Sequence, residues 1–474
     1  MESRQRRKRG PRVGRSWNLV LAGLSLACFS IAAQSQPDAS RSTPEQEFQA
    51  AMAARDRGDL ERAASMLENL RRHHPGLFAV DESLGLIYVA QEKYSDALPV
   101  LQAAVREQPA SDVAHSNLGA DLFKLKRNRE ALAEYSEAAR LNPQNPMTQQ
   151  GLGELLLNAG KPDQAAEAFT RAVSARPNDS DLKLSLATAL VAAGNFDRAQ
   201  MILAGFPNSE NSADVQVLLG QVEEGKGHPV EAARAFERAV QLEPTEANVW
   251  MLGVEFLRHW TFDAAIPEFE AATQEFPQSI RMKLALGAAY FGDQKYAQAV
   301  PVFADLLETD KDDALYAELL GMACNAVTES DRPRCSTLLA YAEAHPRDAK
   351  ASTAAAEMLL TAEQSGHRTD EARQLLVNAL AADPKLANAQ FEMGQLKQDE
   401  GNWKGSIPNL ETAVRLKPDL AQAHYRLALA YWRSGRKEEA QAQMALQKKY
   451  SQQEQQDLDR RLREITVFVM DVKR

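Results

Sequence analysis

The sequence predicts an all-α fold, an array of about twelve helix pairs stacked one on the next. Three observations predict it. Pro75, Pro109, Pro143 and Pro177 stand 34 residues apart. A grid of small and aromatic residues shares that period: Leu118-Gly119, Ala131, Tyr135 and Ala138 return as Leu152-Gly153, Ala165, Phe169 and Ala172. Apolar residues also recur at i, i+3, i+4 and i+7, and no strand-like alternation of any length occurs.

Each element follows from local chemistry. A unit holds two amphipathic helices of about 12–15 residues. Turn signals separate them, Ala159-Gly160-Lys161-Pro162 in one unit and Ala193-Gly194-Asn195 in the next. Proline closes the second helix, because it lacks an N–H and disfavours helical geometry in the residue before it. Small residues on both helices let the two backbones approach, while Tyr88 and Leu101 fill the space beside them. One pair cannot bury its apolar face alone, so neighbours stack and the core runs along the array. The small residues are packing residues.

The grid continues through Leu219-Gly220, Ala232, Phe236 and Pro244, then Leu252-Gly253, Ala265, Phe269 and Pro277, then Leu286-Gly287, Tyr290 and Phe303. It resembles the tetratricopeptide repeat, L-G-x2-Y, A-x3-F and P over 34 residues, from roughly residue 44 to 450. The tryptophan usual near the start of that repeat is missing. The resemblance implies a right-handed superhelical solenoid of about twelve helix-turn-helix repeats with a C-terminal capping helix. Residues 44–212 are expected to hold repeats one to five, 213–450 repeats six to twelve, and 451–474 the capping helix and tail. Within that tail, Leu458, Leu462 and Ile465 form the apolar stripe of a helix expected over roughly residues 453–465.

The N-terminus differs in kind. Seven Lys/Arg precede an apolar run from Leu19 to Ala33, followed by AAQSQ. A basic start, a short apolar stretch and small residues at its end read as a signal peptide over residues 1–35, with 36–43 a linker. The run is short for a spanning helix, which needs about 20 apolar residues. The expected location is periplasmic or secreted, and the alternative is an uncleaved membrane anchor. Without residues 1–35 the net charge is −16, which opposes binding to nucleic acid.

The array breaks its own rule in places. Phe206-Pro207 stands four residues early in the fifth unit, so the second helix there should stop short; a local kink between front and rear blocks is the expectation, and a shortened helix with no change in curvature the alternative. The tenth unit carries an insertion of about four residues at EQSGHRTDE. In the ninth unit Cys324 takes the place of Tyr88, and Cys335 falls near the expected alanine. Those positions face each other in the family the chain resembles, which implies a Cys324–Cys335 disulfide in an exported chain; two reduced core thiols are the other reading.

No H-E-x-x-H, G-x-S-x-G, Walker-type or C-x-x-C motif is present, so neither catalysis nor a metal or other cofactor is expected. His73-His74 and Glu223-Glu224 read as solvated. The resemblance places binding on a concave groove lined by the first helix of each pair. A clamp for a C-terminal carboxylate is not expected: Asn117 fits one of its positions, but Glu82, Leu86, Met147 and Gly151 do not supply the basic partners. Two groups of groove positions have the aromatic and arginine character of binding hot spots. The first is Trp250, Leu257, Arg258, Arg281, Leu284 and Phe291; the second is Phe391, Tyr425, Trp432 and Arg433. Packing between neighbouring repeats is the alternative role for both. The expected function is a non-enzymatic exported scaffold that binds a protein or peptide segment. The alternative is a membrane-anchored envelope assembly or transport factor coupling protein complexes.

Overall fold

The computed structural model describes residues 42–206, 209–327, 333–361 and 369–453. Among them all regular structure is helical, in 24 α-helices joined by short turns. Contacts divide the chain into two compact units, meeting between Ser209 and Glu210.

The first unit holds α1 (Pro44–Asp56), α2 (Leu60–His73), α3 (Phe78–Ala90), α4 (Tyr94–Glu107), α5 (Asp112–Lys124), α6 (Asn128–Leu141), α7 (Pro146–Asn158), α8 (Pro162–Ala175), α9 (Ser180–Ala192) and α10 (Phe196–Ala204). The second holds α11 (Ala213–Gly225), α12 (Pro229–Leu242), α13 (Glu246–Arg258), α14 (Phe262–Glu275), α15 (Ile280–Gly292), α16 (Tyr296–Thr309) and α17 (Ala314–Ala326). It continues with α18 (Ser336–Ala344), α19 (Ala349–Thr361), α20 (Thr369–Ala382), α21 (Ala387–Asp399), α22 (Trp403–Leu416), α23 (Ala421–Arg433) and α24, residues 437–453. Odd-numbered helices are the first of each pair, even-numbered ones the second.

The period is written into the helix starts. Ser111, Asn145, Asp179, Ser212, Thr245, Ser279 and Asp313 each precede a first helix, and each side chain accepts an amide hydrogen bond from the opening turn. Such a cap satisfies one of the amides a helix start leaves without a partner, and is worth about 1 kcal/mol. A proline two residues earlier ends the previous helix at Pro109, Pro143, Pro177 and Pro277. Stop and start signals thus sit side by side.

Within a pair the turn passes through left-handed backbone. Gly160 and Gly194 supply it at φ of 67° and 71°, but Lys126 and Gln294 adopt φ of 61° and 59° without being glycine. The core forms where first and second helices meet. Phe169, Phe236, Phe269 and Phe303 are the largest fully buried side chains. Each lies against the glycine of its own pair, Gly153, Gly220, Gly253 and Gly287.

The irregular places are local. α10 has nine residues where α8 and α12 have 14. α18 also has nine, and begins directly after Cys335. Cys324 and Cys335 are both buried and joined by a disulfide, their Cα atoms 5.8 Å apart. The signal-peptide stretch, most of the tenth-unit insertion and the C-terminal cap beyond residue 453 lie outside the described residues.

Candidate functional site

Within each unit, polar residues of successive first helices meet one another about one repeat apart and form rungs between those helices. Asn117 on α5 donates to the carboxylate of Glu82 on α3 at 3.3 Å. Arg281 on α15 pairs with Glu246 on α13 at 2.7 Å. Lys350 on α19 pairs with Glu318 on α17 at 2.9 Å, and Asn325 on α17 donates to Glu357 on α19 at 2.9 Å. Arg258 on α13 binds Glu224 on α11 and also the buried Glu255 of its own helix.

These rungs decide what the sequence-predicted residues do. Arg258 and Arg281 are held in ion pairs, so they present no uncompensated positive patch. Glu224 is bound by Arg258, and Glu223 accepts from His228 at 2.8 Å, so this acidic pair is more than solvated surface. Trp250 and Leu257 are half-buried against the core of α12–α15. Trp250 lies 6.4 Å from Phe269, and the Arg281 guanidinium lies 5.5 Å from its ring centre. Leu284 and Phe291 are likewise half-buried, against the core that begins at α16. In the second group Phe391 is buried among Ile407, Leu410 and Leu427 and offers no surface. Tyr425 and Trp432 are exposed, seven residues apart along α23, and Arg433 lies over Trp403 at 5.2 Å.

The two predicted groups do not converge on one cavity. A single member, Phe291, lines a cleft of about 400 Å³ built by four consecutive first helices. Met322 and Asn325 come from α17, Lys350, Thr353 and Glu357 from α19, and Asn388 from α21. Met322 is 48% exposed, a large apolar side chain at the cleft wall. On α19 and α21 two carboxyls feel the loss of water: burial pushes Glu357 up, and pushes Glu392 up to about 8, with the Glu357 charge adding to the effect. Glu82 in the first unit is pushed up by burial to about 7, against the opposing Asn117 amide. With Glu82 and Asn117 bonded to each other, no carboxylate-gripping basic clamp exists there.

Comparison with known proteins bears on this architecture. Tetratricopeptide repeat profiles match residues 48–112, 82–146, 156–222 and 261–323, and further ones match 397–435 and 421–452. The chain belongs to the tetratricopeptide repeat family. No curated protein matches it. Among solved structures it is similar to YrrB, described as a TPR protein with an unusual peptide-binding site, at 18% identity, covering 39% of this chain and 96% of that one with a TM-score of 0.37. Pseudomonas aeruginosa pilF matches at 20% identity over 43% of this chain and 94% of its own, TM-score 0.36. Cut9–Hcn1 of the APC/C matches at 13% identity over 87% and 94%, TM-score 0.36.

A tetratricopeptide repeat array is a protein–protein interaction fold, and proteins of this family are generally non-catalytic scaffolds. In this tetratricopeptide array, sequence reasoning missed Met322, Asn325, Glu357 and Asn388. A signal existed: Met322 sits two residues before Cys324, off the apolar stripe that the repeat requires. Among the described residues no group of His, Cys, Asp or Glu is arranged to hold a metal ion.

Proposed function

We propose that this chain is a non-enzymatic scaffold that holds a segment of a partner protein along the face made by its first helices, in the second unit. The observation that carries the reading is the cleft at α15–α21, where Phe291 and Met322 give apolar contact beside polar Asn325, Lys350 and Glu357. Few anchors on a preformed helical surface suit an extended or helical segment. Apolar contact with a small number of placed polar groups is the usual make-up of a binding pocket.

We also propose export. Support comes from the basic start, the apolar run Leu19–Ala33 and the small residues after it, a combination that suits cleavage after Ser35. Comparing the mass of the cellular protein with that of the full chain tests this, and a full-length mass would favour the membrane-anchored alternative.

A photo-crosslinking residue placed at Met322 tests the groove. The expected result is one dominant adduct with a partner, absent when the same residue replaces Arg171 on second helix α8. Equal labelling at both positions would remove the assignment.

A further inference from the structure

At the cleft of α15–α21 and directly behind it stand hydrogen-bond acceptors that the protein itself leaves unsatisfied. Glu392 is 6% exposed. It stands one turn along α21 from Asn388, which lines the cleft, and it interacts electrostatically with Glu357 across on α19. No hydrogen bond is made to its carboxyl group by any described residue. The other charged groups that reach it are Arg426 of α23, already paired with Asp399 at 3.5 Å, and Asp399 itself. Asn325 donates through its amide to Glu357, and its own oxygen is buried with no donor.

Lys350 does not answer this demand. It sits two turns from Glu357 on the same helix, and its ammonium is taken by both carboxylate oxygens of Glu318, at 3.0 and 2.9 Å. The lining residues Glu357 and Asn325 therefore carry acceptor capacity toward the cleft, and the Glu392 carboxyl lies behind them, one turn from the lining Asn388. Buried polar groups are normally paired, so a group left over at a cleft points to what is meant to enter it.

We propose that this cleft receives a lysine or arginine side chain of a partner segment, its cationic head bound by Glu357, Glu392 and the Asn325 amide oxygen. Apolar neighbours of that side chain rest on Met322 and Phe291. Charge complementarity selects this occupant: a carboxylate or phosphate would meet acidic groups and gain no cation, and a purely apolar side chain would leave the acceptors dry. The inference rests on the groove reading above and gives it a chemical class.

Binding a cation favours ionised Glu392, whereas burial favours its neutral form. Affinity should therefore rise with pH across the range in which this carboxyl titrates, about 8 in the free protein. The lysine or arginine keeps its charge throughout, since their ordinary values lie above about 10.

The test selects random 12-residue peptides displayed on phage against the purified protein, then measures winners by fluorescence polarisation at pH 6 and 8.5. Expected winners share a basic residue beside an apolar one, and replacing the basic residue by Gln weakens binding about ten-fold or more. Glu392→Gln should weaken it similarly and erase the gain on raising pH. Glu357→Gln serves as an independent variant should Glu392→Gln fail to fold. Winners that lose binding to Met322→Glu yet carry no basic residue, or that bind Glu392→Gln as tightly as the native protein, would overturn the cation inference and leave the groove reading standing. Winners indifferent to Met322→Glu, or no winners at all, overturn the groove reading and this inference with it.

Discussion

Gly153 on α7 lies directly over the ring of Phe169 on α8: a Cβ built at Gly153 would stand 2.8 Å from the ring. Phe169 is fully buried, so it has nowhere to retreat. Gly153→Ala should therefore destabilise the protein, although alanine is the better helix former by about 1 kcal/mol. Overpacking costs about 1–3 kcal/mol. Phe169→Ala, which empties the same space, should cost about 3–5 kcal/mol. Urea midpoints of both variants check the order; a Gly153→Ala chain as stable as the native one would refute the close-packing account.

The turn residues should behave in the opposite way. Lys126 and Gln294 are exposed and hold left-handed backbone that non-glycine side chains resist by about 1–2 kcal/mol. Lys126→Gly and Gln294→Gly should each raise stability by several tenths to about 1 kcal/mol, after the entropy glycine adds to the unfolded chain. Thermal melts of the single variants decide the sign.

Arg258 compensates Glu255, a carboxylate 1% exposed on the same helix, with His259 3.3 Å from its other oxygen. Arg258→Ala leaves that charge with less compensation and should cost about 1–3 kcal/mol. Arg281→Ala faces a Glu246 that is one-third exposed, and should cost under about 1 kcal/mol. Equal losses in denaturant titrations would contradict this ranking.

Glu82 gives a pH signature. Burial raises its folded-state value to about 7 from 4.5, so the folded chain favours the protonated form. Its contribution is neutral below about pH 4.5, turns unfavourable as pH rises, and is fully unfavourable above about 7. Glu82→Gln should match the native protein at pH 4 and exceed it at pH 8, by unfolding midpoint. A constant difference across that range would exclude ionisation as its cause.

The cysteines yield a chemical prediction. Protein purified without reductant should show no free thiol when denatured, and reduction should lower stability by roughly 2–3 kcal/mol. Two titratable thiols would show that the pair stays reduced in its native compartment.

The architecture was legible because it repeats. Proline, capping residue, glycine and aromatic recur at fixed offsets, and each recurrence corroborates the last. The short α10 was readable from Phe206-Pro207, since proline acts through its own covalent geometry. The site was harder. Trp250, Arg258 and Arg281 sit at groove positions, but composition does not tell that Glu224, Glu246 and Glu255 neutralise the arginines. Phe391 has the same hydrophobicity as Phe291, and only the packing of α21 on α22 buries one more than the other. Asn325 and Glu357 are 32 residues apart, short of a full repeat. They leave the grid at the ninth unit, where the second helix is truncated, so a search in strict register passes them by.

The Cys324–Cys335 bond ties α17 to the start of α18 across eleven residues of sequence. A backbone cut anywhere between those two cysteines would not release either fragment. The clipped chain would migrate as a single species on a non-reducing gel and separate in two only after treatment with a thiol. For this protein, integrity judged without reduction would report the crosslink rather than the continuity of the polypeptide.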